Sequence, residues 1–186
     1  MRRSWLFVPG ADPAAHAAAA RCGADVIVLE LEDFTPPELR PKARALAAAA
    51  MARWRKAGAV PAVRINPLAS CGLEDLMGVL PGQPQIVMMS KVDAPEQVMA
   101  LEQATGGSVE LVPNIESAAG LVHAVEIAAA SRRVTAMLVA SEDMVADLGA
   151  QRSRRGEELD YVRAHFLVAC RAAGVEAIDC PYTFSD

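Results

Sequence analysis

Aromatic side chains are scarce in this chain. Two Trp, two Tyr and four Phe make up only 4% of its 186 residues. With 53% of residues hydrophobic, the core must be built from Ala, Val, Leu, Ile and Met. The length suits one domain with a sizeable core. Long basic blocks are absent and the net charge is −5, which argues against a nucleic-acid footprint and favours solubility. No stretch approaches the roughly 18 apolar residues of a membrane span. After Arg2 and Arg3 the apolar run covers only Trp5 to Val8, too short for a signal-peptide core. Cys22, Cys71, Cys170 and Cys180 are scattered, with no C-x-x-C and no Cys/His cluster. They read as reduced thiols of a cytoplasmic protein, neither a disulfide frame nor a zinc site. The turn Pro9-Gly10-Ala11-Asp12 lacks a G-x-G-x-x-G fingerprint, and no Walker-type phosphate loop is present.

What is there is an alternation. Ser4–Val8, Val26–Leu31, Pro61–Ile65, Ile86–Met89, Val109–Ile115, Ala136–Ala140 and Val175–Cys180 read as seven strands. Helical patterns separate them: Asp12-Pro13 to Arg21, about Glu38–Ala57, Leu73–Val79, the segment opened by Asp93-Ala94-Pro95-Glu96, Ala118–Ala130 and Leu159–Ala173. Strand–helix alternation with short turns means parallel strands with helical crossovers. Near-continuous runs such as Val26-Ile27-Val28-Leu29 suit strands buried on both faces. Polar residues at nearly every strand's carboxyl end lean toward a TIM-type barrel over an open doubly wound sheet.

The chemistry-bearing residues fall at those ends. Glu116 closes the fifth apolar run, and Ser141-Glu142-Asp143 closes the sixth. Glu116 and Asp143 are hard oxygen donors, a set that suits Mg²⁺, with Mn²⁺ as the alternative, rather than zinc. The competing reading is that both acids cap the helices that follow. Arg64, at the end of the third strand, can lay its fork on an enolate or carboxylate oxygen, or pair with Glu30, Glu32 or Asp33. Those three acids could hold metal-bound waters, orient Arg64 or face solvent. Lys91 reads as a salt-bridge lysine more readily than a Schiff-base one. His16, His123 and His165 read as packing or surface residues. The run holding Arg152, Arg154 and Arg155 reads as a solvated loop.

Taken together, these pieces resemble the citrate lyase beta-subunit-like proteins of the HpcH/HpaI aldolase group. The matching stretches are Arg3-Ser4-Trp5-Leu6-Phe7-Val8-Pro9-Gly10, Leu29-Glu30-Leu31-Glu32-Asp33, Val63-Arg64-Ile65-Asn66-Pro67 and Lys91-Val92-Asp93. They continue with Ile115-Glu116-Ser117-Ala118-Ala119-Gly120-Leu121, Ser141-Glu142-Asp143-Met144, Ala146-Asp147-Leu148-Gly149, and Ala177-Ile178-Asp179 with Tyr182-Thr183. The resemblance implies a (β/α)8 barrel that cleaves or forms a C–C bond beside a CoA thioester of the citryl, malyl or citramalyl class. It implies metal ligands at Glu116 and Asp143, an enolate-binding Arg64, and an acidic cluster at Glu30, Glu32 and Asp33. The implied partners are a CoA thioester and a small keto acid such as oxaloacetate, pyruvate or glyoxylate. The implied assembly is a homo-trimer or hexamer.

The sequence departs from that pattern. Glu30 stands where Asp is usual, Ser90 where Pro is common before Lys91, and Ala140 where Gly is usual before Glu142. Family members normally continue with an eighth strand and further helices. The expectation is therefore a single barrel domain over 1–186, truncated after the seventh strand. Two rival functions stay open: a degenerate, non-catalytic barrel serving as a subunit or ligand-binding module, and a thioesterase using the same metal site.

Overall fold

Parallel pairing explains why the apolar runs are so unbroken. In the computed structural model, which describes residues 2–179, the chain divides into two compact units. Each is α/β.

The first unit comprises residues 2–89 with Ala104–Glu110. It holds β1 (Trp5–Pro9), β2 (Val26–Glu30), β3 (Val60–Ile65) and β4 (Ile86–Met89). These pair in chain order, all parallel. All five residues of β2 are buried, as a strand covered on both faces requires. α1 (Pro13–Ala19) starts at an Asp12 cap that accepts N–H groups from Ala14 and Ala15, with Pro13 in the first turn. α2 (Arg40–Lys56) follows a 3₁₀ turn at Pro37–Leu39, so the helix starts two residues later than the sequence suggests. Its buried stripe is Ala43, Ala47, Ala50, Met51 and Trp54. Trp54 is wholly buried, and its indole N–H donates to the carbonyl of His16 at 3.0 Å. α3 (Gly72–Val79) buries Gly72, Asp75, Leu76 and Val79, a face with helical spacing.

The second unit comprises Ser90–Gln103 with residues 111–179. It holds most of β5 (Glu110–Ile115), then β6 (Ala136–Val139) and β7 (Glu176–Ile178), parallel and in chain order. α4 (Pro95–Thr105) precedes β5. The long helix expected over Ala118–Ala130 is instead two, α5 (Ala118–Val122) and α6 (Ala124–Ala129), broken at His123. The His123 Nδ1 lies 3.2 Å from the carbonyl of Asp93, a tertiary contact at the break. α7 (Ser141–Asp147) follows β6. α8 (Asp160–Ala173) ends at Gly174, whose φ of 75° is the left-handed cap glycine supplies. Cys180, Tyr182 and Thr183 lie outside the described residues. Cys22, Cys71 and Cys170 are free thiols. No helix among the described residues is long and apolar enough to cross a membrane.

Candidate functional site

In the first unit, the three acids at the end of β2 gather on Arg64. Glu30 and Arg64 are register partners on β2 and β3, so their side chains leave the same face. Arg64 is 7% exposed and Glu30 fully buried. The Arg64 Nε donates to Glu30 at 3.0 Å, and one terminal nitrogen lies 3.5 Å from both Glu32 and Asp33. Its guanidinium carbon sits 5.3 Å from the Phe7 ring centre and 6.0 Å from that of Phe34. Glu30 also accepts the backbone N–H groups of Glu32 and Phe34, each at 2.6 Å. Burial pushes the Glu30 carboxyl above its usual range, while Arg64 and those two N–H groups pull it back. Three donors converge on its two oxygens.

The turn around this arginine is pinned from two sides. Gly10 donates to Glu30's carbonyl at 2.9 Å, and a Cβ on Gly10 would lie 2.6 Å from that oxygen. This is the physical need for the Pro9-Gly10 turn. On the other side, Asn66 donates to the Leu31 carbonyl at 2.9 Å. Asn66 is itself held by Asp75, which accepts its backbone N–H at 3.1 Å and its side-chain amide at 2.8 Å. Asp75 pairs in turn with Arg44 at 2.8 Å. Asp75 was not a candidate from sequence. Its signal was an acid on the Gly72/Leu76/Val79 face of an otherwise apolar helical stripe.

In the second unit, Glu116 follows β5 and is 3% exposed. Two residues earlier, on the same face, Asn114 is fully buried and its side-chain amide has no hydrogen-bond partner among the described residues. Ser117 caps α5, accepting the N–H of Gly120 at 3.0 Å and donating to Asp93. A Cβ on Gly120 would meet the Val92 carbonyl at 2.5 Å, so the small residue lets α5 close on the 91–93 turn. Asp143 is not at a strand end, as expected, but in the first turn of α7, because β6 stops at Val139. The helix turns successive residues about 100° apart, so its two acids diverge. Glu142 pairs with Arg152 at 3.2 Å, and Asp143 with Lys91 at 3.7 Å. Acids in the first turn also suit the helix dipole.

Lys91 has φ 55°. A non-glycine residue in that region costs about 1–3 kcal/mol. Its ion pair is 47% exposed on the lysine and 38% on the aspartate, and pairs of this kind contribute about 0–1 kcal/mol. Of the arginine-rich run, Arg152 is tied down, paired with Glu142 and with Glu158 at 2.8 Å. His16 is buried, with Nε2 3.0 Å from the Pro9 carbonyl, and burial pushes its pKa down.

No group of three or more His, Cys, Asp or Glu among the described residues could hold a metal. Glu116 and Asp143, the two acids the sequence nominates, offer oxygen donors without nitrogen or sulfur. That set fits Mg²⁺, which takes one or two protein carboxylates and leaves its other positions to water and substrate. A buried amide beside Glu116, with its hydrogen-bonding capacity unspent, suits a ligand-bearing face.

The model of the HpcH/HpaI aldolase/citrate lyase family matches residues 3–186. The chain belongs to that family. It is 35% identical to the citrate lyase subunit beta of Escherichia coli over 193 residues, covering 98% of this chain. It spans only 64% of that relative's length. It is 33% identical over 217 residues to the L-malyl-CoA/beta-methylmalyl-CoA lyase of Rhodobacter capsulatus, covering all of this chain and 68% of the relative. Among solved structures, the citrate lyase beta subunit of M. tuberculosis complexed with oxaloacetate and magnesium superposes with a TM-score of 0.78 at 31% identity. That match covers 95% of this chain and 77% of the other.

Proposed function

We propose that this member of the HpcH/HpaI family is a Mg²⁺-dependent carbon–carbon lyase. Its substrate would be a 3-hydroxyacyl-CoA thioester of the citryl, malyl or citramalyl class, and its products an acyl-CoA and a keto acid. The observation that carries the reading is the buried Arg64 fork, gripped by Glu30, Glu32 and Asp33 at the carboxyl ends of parallel strands. An arginine held this rigidly is preorganised to receive developing negative charge.

In the cleavage, the substrate hydroxyl loses its proton and its carbon becomes the keto carbonyl. The bonding pair passes to the carbon alpha to the thioester, which then takes a proton. Arg64 would donate hydrogen bonds to the substrate oxygen on which charge develops. Glu30 fixes its inner edge through Nε. Glu32 and Asp33 hold the outer nitrogen and balance its charge. Glu116 and Asp143 would hold Mg²⁺, which supplies Lewis acidity toward the carboxylate and carbonyl oxygens of the keto acid. Both M. tuberculosis ligands, oxaloacetate and magnesium, support this assignment. We also infer a TIM-type barrel, cytoplasmic location and assembly as a trimer or hexamer, on the strength of family membership.

The test incubates the full chain with citryl-, malyl- and citramalyl-CoA, with Mg²⁺ or chelator, and identifies the products. Mg²⁺-dependent keto acid plus acyl-CoA, lost in Glu116→Gln, is the expected result. Intact hydroxy acid plus free CoA would make it a thioesterase. No turnover of any of the three would overturn the lyase reading.

A further inference from the structure

Two of the chain's four phenylalanines meet the Arg64 guanidinium, and they differ in exposure. Phe7 is half-buried on β1. Phe34, with its ring centre 6.0 Å from the guanidinium carbon, lies in the turn after β2 and is 53% exposed. Its backbone is nevertheless fixed. The Phe34 N–H donates to the Glu30 carboxylate at 2.6 Å. The next residue, Thr35, is buried; its hydroxyl donates to the Glu30 carbonyl and accepts the Gly10 N–H at 2.9 Å. The carboxylate that orients Arg64 therefore also sets where the Phe34 ring stands. About half of that ring is left open beside a buried cation, where the carbon skeleton of a ligand can cover it. The same rim is acidic. The Asp33 side chain is 49% exposed next to Phe34, with Glu30 and Glu32 buried behind it, so one guanidinium stands among three carboxylates.

We propose that Phe34 is a specificity-determining residue. Its ring is the apolar wall on which the substituent of the keto-acid fragment rests, and it selects an apolar substituent, as in pyruvate, over a second carboxylate, as in oxaloacetate. The inference rests on the reading of Arg64 as the group that receives the substrate oxygen. An oxygen hydrogen-bonded to the fork lies about 3 Å from a guanidinium nitrogen, which brings the attached carbons alongside a ring packed at that fork. A methyl there is covered by the ring. A carboxylate there gives up water, meets the electron-rich ring face and is repelled by Asp33. Of the three thioester classes, the citramalyl one yields the methyl-bearing keto acid and the citryl one the dicarboxylate, so the wall favours the citramalyl class over the citryl class.

The test is calorimetric titration of pyruvate and of oxaloacetate, each with Mg²⁺ present, into the full chain of wild type, Phe34→Ala and Phe34→Leu. Wild type should bind pyruvate more tightly than oxaloacetate. Phe34→Ala should weaken pyruvate binding about three- to tenfold and leave oxaloacetate within about twofold, so that the preference shrinks. Phe34→Leu, which keeps an apolar wall, should hold most of the pyruvate affinity. Both affinities are read on the same sample, so a smaller folded fraction in a variant leaves their ratio unchanged. Equal losses for the two keto acids in Phe34→Ala, no loss for either, or a wild type that prefers oxaloacetate would overturn the specificity role and leave the role of Arg64 standing. No binding of either keto acid by wild type would overturn the reading of Arg64 and this proposal with it.

Discussion

Asp75 is the most consequential acid that the candidate site does not use directly. It is fully buried and takes hydrogen bonds on both oxygens. One oxygen accepts from Arg44, with Nε at 2.9 Å. The other accepts the Asn66 backbone N–H at 3.1 Å and its side-chain amide at 2.8 Å. Asp75→Asn keeps the volume but turns an NH₂ toward one of these sets of donors. Breaking a buried pair costs about 3–5 kcal/mol. Arg44 also bonds Glu74 at 2.9 Å, which keeps part of its pairing and lowers the expected cost to about 2–4 kcal/mol. For a chain of this length that is a fall in melting temperature of roughly 5–15 °C. Thermal melts followed by circular dichroism at neutral pH measure it. Arg44→Met removes the other partner, so the double variant should lose less than the two single losses combined. A shift equivalent to under about 1 kcal/mol, or strictly additive losses, would refute the coupling of α2, α3 and the end of β3 through this carboxylate.

Other outcomes follow from the same geometry. Gly120→Ala should destabilise by about 1–3 kcal/mol, read by urea unfolding, because its methyl would meet the Val92 carbonyl at 2.5 Å. Arg64→Lys keeps the charge but loses the fork, and should lower kcat about 10²–10³-fold in the product assay with little change in fold. The Ser153 hydroxyl, then Arg152, holds the Glu158 carboxyl down at about 2, below its ordinary 4.5. The native pKa is the lower one, so the stabilisation is present above pH 4.5 and lost as pH falls toward about 2. The gap in melting temperature between wild type and Glu158→Gln should therefore close over that window, and a gap independent of pH would contradict the assignment.

The strands were readable because parallel pairing leaves unbroken Val/Ile/Leu runs, and all seven are present close to their expected bounds. Helix ends were less so. Pro36-Pro37 signalled a break but not the 3₁₀ turn after it. Nothing local in Ala118–Ala130 marks the break at His123, where the ring meets Asp93, 30 residues away in sequence. α7 was hidden because Ser141-Glu142-Asp143 looks the same as a strand end or a helix start, and only the stop of β6 at Val139 decides. At the site, the residue types at the strand ends announced Arg64 and its acids. That Glu30 takes the inner nitrogen while Asp33 stays about half exposed depends on the register of β2 and β3. Asp75 escaped notice because an acid in an amphipathic helix normally faces water.

The most direct test of the central claim is calorimetric titration of oxaloacetate into the chain, with and without Mg²⁺, for wild type and Asp143→Asn. The account predicts binding that requires Mg²⁺ and vanishes in the variant. Oxaloacetate binding of equal strength with and without Mg²⁺, or binding undiminished in Asp143→Asn, would contradict it.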